Sequence, residues 1–168
     1  MPAKANALKI HRHFTESGKN PFDQLSWSKK DVEIRNFDGS VAFSMKDVTL
    51  PDNYSQVASN VLAQKYLRKA GIPKKLRKVK EKAVPSWLQR SVPDLKAMED
   101  LPENEKFGEE IDGKQTFRRL AGTWTYWGWK YGYFASEADA KSYFDEMCYM
   151  LAFQMVSPNS PQWFNTGL

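Results

Sequence analysis

The sequence contains very few residues of the kinds that form metal sites and disulfides. Of its 168 residues, one is cysteine, Cys148, and two are histidine, His11 and His13. A single cysteine cannot form an internal disulfide, and so small a set of soft ligands does not indicate a zinc site. We therefore expect a chain that folds in a reducing cytoplasm, with Cys148 as an inert packed thiol.

Long apolar runs are also missing. No stretch approaches the roughly 18 apolar residues that a membrane span needs, and the N-terminus lacks an apolar signal segment. Glycine-rich phosphate loops and nucleophile elbows are absent as well. The residues by themselves therefore predict neither an enzyme nor a membrane protein. The composition, 41% hydrophobic and 27% charged, is typical of one globular domain.

Positive charge, by contrast, is concentrated in one segment. Residues 65–82, KYLRKAGIPKKLRKVKEK, hold nine Lys and Arg against one Glu, whereas the whole chain has a net charge of +5. Such a segment can meet the phosphates of a nucleic acid, a nucleotide or a membrane surface. It is equally consistent with a solvated helix face and basic loop, or with a patch that faces an acidic neighbouring domain.

Periodicity predicts a mainly α fold with one small β-hairpin. Residues 32–51 alternate apolar and polar positions around an Asp38-Gly39 turn and predict the hairpin. Residues 54–71 predict an amphipathic helix that stops at Gly71, with an apolar stripe of Val57, Val61, Leu62 and Tyr66 at helical spacing. A longer helix is expected over 137–156, with Ser136 as its N-cap and Phe144, Met147, Met150 and Leu151 buried. Residues 72–112 are interpreted as an irregular connection with one or two short helices.

Aromatic side chains crowd the stretch TWTYWGWKYGYF. Phe117, Leu120, Ala121 and Trp124 recur at helical spacing, and Trp127, Tyr131 and Phe134 extend the same stripe. Interleaved Trp, Tyr and Lys can stack nucleobases. A stripe of this kind is also typical of core or domain-interface packing.

Several segments in the same order resemble one family. GSVAFSMKDVTLPDNYSQVASNVLAQKYLRKAGIP, VPSWLQRSVPD, RLAGTWTYWGWKYGYF and SEADAKSYFDEMCYMLAFQMVSPNSPQWFNTG resemble the N-terminal region of vitamin B12-dependent (class II) ribonucleotide reductases. The resemblance covers roughly residues 30–168. It implies an adenosylcobalamin-dependent enzyme that reduces ribonucleotides to 2'-deoxyribonucleotides through a thiyl radical, on cysteines in a ten-stranded α/β barrel. Cys148 matches none of those cysteines.

One binding role is carried over from the family to the segment SPNSPQWFNTGL. The resemblance implies that the hydroxyl residue of Asn-Ser-Pro contacts the substrate nucleotide, which makes Ser160 a substrate-binding candidate, with Asn159 and Asn165 beside it. Pro161 disfavours helical geometry at the preceding residue, so we expect Ser160 to be extended. A rigid connection with no ligand contact is the alternative.

The resemblance also predicts how the chain is divided. We expect an arm over 1–28, the N-terminal reductase domain over 29–156, and the lead-in to a barrel over 157–168. The catalytic cysteines are then expected beyond Leu168, so the chain alone is expected to be inactive and to expose an apolar interface around Trp163 and Phe164. A truncated gene, a partial sequence and a split reductase stay open as origins.

Two other functions are weighed against this one. The first is a small nucleic-acid-binding module that uses residues 65–82 and the aromatic stretch. The second is an accessory subunit of a split reductase. The reductase hypothesis predicts a ribonucleotide substrate, the rest of the barrel as partner, and a homodimer, with no membrane partner.

Overall fold

The structure is a computed structural model that describes residues 7–167. The first six residues of the predicted arm and Leu168 lie outside the described part of the chain. No helix among the described residues is long and apolar enough to cross a membrane.

An antiparallel hairpin of two long strands follows the arm. Strand β1 spans Trp27–Arg35 and strand β2 spans Val41–Pro51. Their turn uses Gly39 at a φ of +84°, where a residue without a Cβ is favoured, so the predicted Asp38-Gly39 turn is confirmed. The register of the two strands shifts between Lys30 and Val32, and such an irregularity bends the strand pair.

The helix predicted over residues 54–71 is shorter in the structure. Helix α1 spans Gln56–Val61, with the Ser55 side chain accepting from the backbone N–H of Ala58 at its start. It continues as a π-helical turn over Leu62–Tyr66 and ends there, before Gly71. Its buried positions are Leu62 and Ala63, whereas Val57 is 72% exposed. The predicted apolar stripe is therefore only partly correct.

Residues 72–108 form two short strand pairings, each with one strand in the basic segment. Strand β3 (Ile72–Pro73) pairs with β6 (Phe107–Gly108), and β4 (Leu76–Lys78) pairs with β5 (Ser91–Pro93). Single 3₁₀ turns at Lys96–Met98 and Glu103–Glu105 lie between them.

The prediction of a mainly α fold is therefore wrong. Helix accounts for 35% and strand for 20% of the structure, and the strand pairs are antiparallel, so the fold is mixed α+β. The error has a physical origin. Partners such as Pro73 and Phe107 are far apart in sequence, and strands of two or three residues are too short to show a two-residue period.

Two long helices form the other layer. Helix α2 spans Gly113–Lys130 and is preceded by a capping box in which Asp112 and Gln115 satisfy each other's backbone N–H groups. Helix α3 spans Glu137–Ala152, and the predicted N-cap Ser136 accepts from the N–H of Asp139. In α3 Leu151 is buried as expected, while Phe144 and Met147 are only partly buried.

The core lies where the hairpin, the π-helical turn and the two long helices meet. Its largest members on α2 are Phe117 and Leu120, both fully buried. Phe22 from the arm and Trp163 from the last short helix pack into the same core. The arm and the last short helix therefore share one core with the hairpin and the long helices.

Candidate functional site

The three predicted substrate-binding residues lie on the last helix or directly before it. Helix α4 spans Ser160–Asn165, and all three side chains are exposed. Asn159 directly precedes the helix and Asn165 ends it, so only Asn159 lies at the same end as Ser160. The structure therefore brings two of the three candidates together and places Asn165 apart.

The backbone geometry predicted for Ser160 is found one residue earlier. Asn159 is extended, with φ −57° and ψ 147°, and Ser160 is already the first residue of α4. Pro161 fits the first helical turn because its missing N–H has no partner to lose there. The indole N–H of Trp163 donates to the carbonyl of Pro158 at 3.1 Å and fixes the turn before the helix.

The Ser160 hydroxyl has a partner that the sequence did not indicate. The hydroxyl oxygens of Ser160 and Tyr66 are 3.2 Å apart, and the Tyr66 ring stacks on Trp163 with centroids 4.9 Å apart. Trp163 is 5% exposed. The tyrosine at the end of the π-helical turn is therefore held against a buried ring, with its hydroxyl at Ser160.

Two arginines hold the carbonyl end of α4, and we call Arg68 and Arg119 the arginine clamp. One Nη of Arg119 donates to the carbonyls of Trp163 and Thr166, both at 2.8 Å. Arg68 donates to the carbonyls of Gly167 and Thr166 at 3.2 and 3.4 Å. The last carbonyls of a helix have no partner within it, so the clamp satisfies these groups.

A buried carboxylate balances the clamp. Glu110 Oε1 is 2.7 Å from Arg119 Nε, and Oε2 is 2.9 Å from an Arg119 Nη, a bidentate geometry. Oε2 also accepts from the Thr116 hydroxyl and from the Arg68 N–H. The side chains of Glu110 and Arg119 are only 3% and 10% exposed, so the pair is shielded from water.

Burial and pairing act in opposite directions on the ionisation of Glu110. Burial alone would raise the pKa of Glu110, but the hydrogen bonds and charge of Arg119 outweigh it and hold that pKa below its usual value. The pKa of Arg68 is lowered by burial and by the nearby charge of Arg119. An arginine nevertheless stays charged in proteins. The clamp is thus an ionised network at neutral pH.

Gly167, the second residue after α4, has no room for a side chain. Gly167 has a φ of +76°, and a Cβ placed on it would lie 2.6 Å from Arg119 Cγ and 2.7 Å from Thr123 Oγ1. The chain therefore passes directly against helix α2 at this point, and glycine allows both the backbone conformation and the close approach.

The sequence named Ser160 and Asn159 as candidates but did not indicate the residues that hold α4 in place. Arg68 was grouped with the basic segment, and Arg119 and Glu110 drew no attention. The available signal was weak: one of two arginines in a lysine-rich segment, and a glutamate in an acidic loop. Nothing in the spacing of 68, 110 and 119 predicts that they meet.

The basic segment contacts the aromatic second half of α2, but through polar groups. Glu81, the acidic residue of that segment, accepts from the Tyr126 hydroxyl at 2.8 Å and lies 3.3 Å from Lys130. The Trp129 indole donates to the carbonyl of Ala83 at 2.7 Å. Tyr126 and Trp129 therefore pack against the segment, and this part of the helix is not free to stack bases.

The cysteine and the two histidines lie in different surroundings from α4. Cys148 is fully buried, and burial raises the pKa of its thiol far above the ordinary value, so the expectation of an inert thiol is confirmed. His11 and His13 are exposed on the arm. Across residues 7–167, no group of three or more His, Cys, Asp and Glu side chains is arranged to hold a metal ion.

The exposed interface expected at the end of the chain is only half present. Trp163 is buried in the core, whereas Phe164 is 44% exposed. The difference arises because Trp163 already has Tyr66 and Phe117 as partners in this chain.

Comparison with known proteins gives one consistent family. Residues 28–154 match the family described as class II vitamin B12-dependent ribonucleotide reductase. Proteins called vitamin B12-dependent ribonucleotide reductase from Bradyrhizobium diazoefficiens and Agrobacterium fabrum are 55% and 56% identical over 161 residues. The one from Streptomyces avermitilis is 33% identical over 166 residues.

Coverage differs greatly between the two sides of these alignments. The aligned region takes in 96% of this chain, but only 13% of the length of the Bradyrhizobium and Agrobacterium relatives. For the Streptomyces relative the shares are 98% and 14%. The family match over most of the chain, with relatives above half identity, shows that the chain belongs to the class II vitamin B12-dependent ribonucleotide reductases.

Proposed function

We propose that this chain is the N-terminal part of an adenosylcobalamin-dependent ribonucleoside-diphosphate reductase and supplies Ser160 to its substrate site. The observation that carries the proposal is the placement of Ser160 in a chain of this family. Its hydroxyl lies at the exposed start of α4, and α4 is fixed from beneath by the arginine clamp. A hydroxyl held in this way can donate to a ribose or phosphate oxygen of a nucleotide.

Tyr66 and the arginine clamp then act as positioning groups. The Tyr66 hydroxyl, 3.2 Å from the Ser160 oxygen, can accept or donate and so restricts the rotation of that hydroxyl. Arg119 fixes the far end of α4 through two carbonyls. Binding groups contribute most when their geometry is set before the ligand arrives.

The described residues do not fit a cobalamin site of their own. Both histidines lie on the exposed arm, and the thiol of Cys148 is enclosed in the core with a raised pKa. We therefore assign the cofactor and the radical chemistry to parts of the longer protein outside this chain. The role left to this chain is to bind and orient the substrate.

A chimera tests the proposal. The matched region of the Bradyrhizobium relative is replaced by this chain, and adenosylcobalamin-dependent reduction of a ribonucleoside diphosphate is measured. We expect an active chimera and an inactive isolated chain. A folded chimera without activity contradicts the proposal.

The role of Ser160 is tested with two serines of one segment. Ser160→Ala in the chimera should raise KM by about tenfold or more, since a hydrogen bond to a charged group contributes about 1.5–3 kcal/mol. Ser157→Ala is the matched control, because its hydroxyl contacts only the carbonyl of Pro158, at 3.4 Å. Equal KM values for the two variants would exclude substrate contact by Ser160.

One observation supports a second candidate, a nucleic-acid-binding module. Along residues 74–82 six lysines and arginines are exposed, and within the described chain none has a carboxylate oxygen within 4.0 Å: Lys74, Lys75, Arg77, Lys78, Lys80 and Lys82. This candidate predicts single-strand binding by the isolated chain that weakens steeply with salt. Replacing Arg77 and Lys80 with glutamine should flatten that salt dependence, and no binding at low salt excludes it.

Further features of the parent enzyme belong to the same proposal. We propose a ribonucleotide substrate, a homodimeric enzyme and a cytoplasmic location. A split reductase, in which this chain is an accessory subunit, differs in one respect. Activity would then appear when the chain and the remaining part of the relative are mixed as separate polypeptides.

A further inference from the structure

A groove rich in aromatic side chains opens beside the second half of α2. We call it the aromatic groove, and its volume is about 640 Å³. Among residues 7–167 its lining contains no charged side chain and consists of Leu8, Ile10, Trp124, Trp127, Gly128, Tyr131, Tyr133, Phe134 and Tyr143.

The groove is built by the arm lying across the end of α2. The N–H of Leu8 donates to the carbonyl of Tyr133 at 2.7 Å, and the N–H of Ala135 donates to the carbonyl of Leu8 at 2.9 Å. Phe134 packs directly on Gly128, where an added Cβ would lie 2.6 Å from its ring. The walls are thus held by backbone bonds and a close ring contact, so the groove is preformed.

The side chains at its rim are unusually exposed for their size. Trp127 is 46% exposed, Tyr131 68% and Tyr133 58%. Contiguous exposed aromatic surface marks interaction sites in soluble proteins, and Trp and Tyr are enriched at such interfaces. Packing among the described residues therefore leaves these three aromatic side chains largely uncovered.

We propose that the aromatic groove is the docking site for an apolar element of the larger catalytic part of the enzyme. The proposal rests on the proposed function, since it takes its partner from the longer reductase. An amphipathic helix laid in the groove is the simplest such element, because its apolar face needs an uncharged surface of this kind.

Continuity with α4 supports this occupant. Trp124, at one end of the groove, lies with its indole nitrogen 3.4 Å from Gln162 Oε1 on α4. The groove and the proposed substrate-binding helix therefore form adjoining surfaces on one side of α2. The size of the relatives supports it too, because the region that matches this chain is only 13% of their length.

The chemistry of the lining argues against a nucleotide or a nucleic acid. Nucleic-acid binding draws most of its affinity from Lys and Arg at the phosphates, and Lys130, a cation on the same stretch of α2, lies at Glu81 on the side of the basic segment. An uncharged aromatic surface instead favours an apolar protein element, in which burial from water supplies most of the binding free energy.

Footprinting with hydroxyl radicals tests the proposal. Labelling of Trp127 and Tyr131 is compared between the isolated chain and the chimera with the Bradyrhizobium relative. We expect labelling of both residues to fall several-fold in the chimera. Phe37, fully exposed at the hairpin turn, is the internal control and should be labelled equally in both proteins.

A paired substitution gives a second readout. Trp127→Ser combined with Tyr131→Ser should lower the thermal midpoint of the chimera and change that of the isolated chain little, because both side chains are exposed there. Phe37→Ser should change neither. These results together would support the docking site.

Two outcomes overturn the proposal. Equal labelling of Trp127 and Tyr131 in a chimera that reduces ribonucleotides leaves the proposed function standing and removes the docking site. Protection that appears in the isolated chain as its concentration rises assigns the groove to a second copy of the chain. Reductase activity of the chimera reports on the proposed function separately.

Discussion

The N-terminal arm and the C-terminal segment are both held against the long helices by buried charged side chains, but the charges have opposite sign. Backbone N–H groups of the arm donate to carboxylates on α3: Phe14 and Thr15 to Glu146, and Ile10 to Asp139. At the other end, carbonyls accept from the arginine clamp. Towards these charged side chains, the arm therefore presents N–H groups and the C-terminal segment presents carbonyls, each complementary to the charge that it meets.

The two attachments also differ in how completely the charge is balanced. Arg119 of the clamp forms a bidentate pair with Glu110, so both signs are buried together. Glu146 is balanced only by hydrogen bonds from the arm, while its neighbour Asp145 pairs with Arg12 at 2.8 Å. We therefore expect the clamp to be the more damaging of the two to break, because breaking it strands a buried charge.

The largest effect is expected from Arg119→Ala. The substitution leaves Glu110 buried without its partner, and loss of one member of a buried pair costs about 3–5 kcal/mol of unfolding free energy. Urea unfolding of the isolated chain measures the loss. Arg118→Ala is the matched control, since that exposed neighbour only stacks on Phe22, and it should cost about 1 kcal/mol or less.

A double substitution separates lost charge balance from lost packing. Arg119→Met with Glu110→Leu removes both charges and keeps apolar volume, so it should recover much of the stability that Arg119→Ala loses. A double variant as unstable as the single one would show that the hydrogen bonds to α4, and not the stranded carboxylate, account for the cost.

A smaller effect is expected at the arm. Glu146→Gln keeps the size of the side chain but turns one acceptor into a donor that faces the N–H groups of Phe14 and Thr15. We expect a loss of about 1.5–3 kcal/mol, the range for hydrogen bonds to charged groups. Hydrogen exchange at those two amides should speed up, and Glu109→Gln, an exposed site, should leave it unchanged. Unchanged protection in Glu146→Gln would mean that the arm is held by its other contacts.

Glycine substitutions compare the two regions at the backbone. Gly167 and Gly18 have similar positive φ values, +76° and +82°, but only Gly167 has neighbours within reach of an added Cβ. Alanine at either site carries the conformational cost of about 1 kcal/mol. Gly167→Ala should cost about 1–3 kcal/mol more, because Arg119 must move. Equal losses of unfolding free energy in the two variants would show that the backbone around Gly167 shifts at little cost to accept the Cβ.

The smallest effect is expected in the dependence of stability on acid pH. Burial alone would raise the pKa of Glu146, but hydrogen bonds from Thr15 and Phe14 hold that pKa below its ordinary value of 4.5. The pKa of Glu110 is also below its ordinary value. A carboxylate with a lowered folded pKa stabilises the fold above its unfolded pKa and loses that stabilisation as the pH falls through the folded pKa. Stability should therefore be steady from pH 7 to about 5 and decline below 4.5.

Glu146→Gln should make that decline shallower, by at most about 1.4 kcal/mol per pH unit for one proton. The free energy of unfolding, measured in urea at several pH values between 3 and 7, gives both slopes. Parallel slopes for the variant and the original chain would show that Glu146 does not titrate with folding.

Local patterns in the sequence determined much of the fold. The hairpin turn at Gly39, the N-cap at Ser136 and the two long helices were predicted because each depends on neighbours within about one helical turn or one strand pair. Burial of Cys148 and Leu151 follows from the same helical spacing. Membership of the reductase family is confirmed as well, since it rests on the order of several short motifs along the chain.

Only the tertiary structure decided how the candidate site is held. Arg68, Glu110 and Arg119 are more than forty residues apart at their extremes and meet because α4 packs against both the π-helical turn and α2. The short strand pairs between residues 72 and 108 are of the same kind. A one-dimensional pattern records what each residue prefers locally, whereas a buried ion pair depends on which distant segment fills the space beside it.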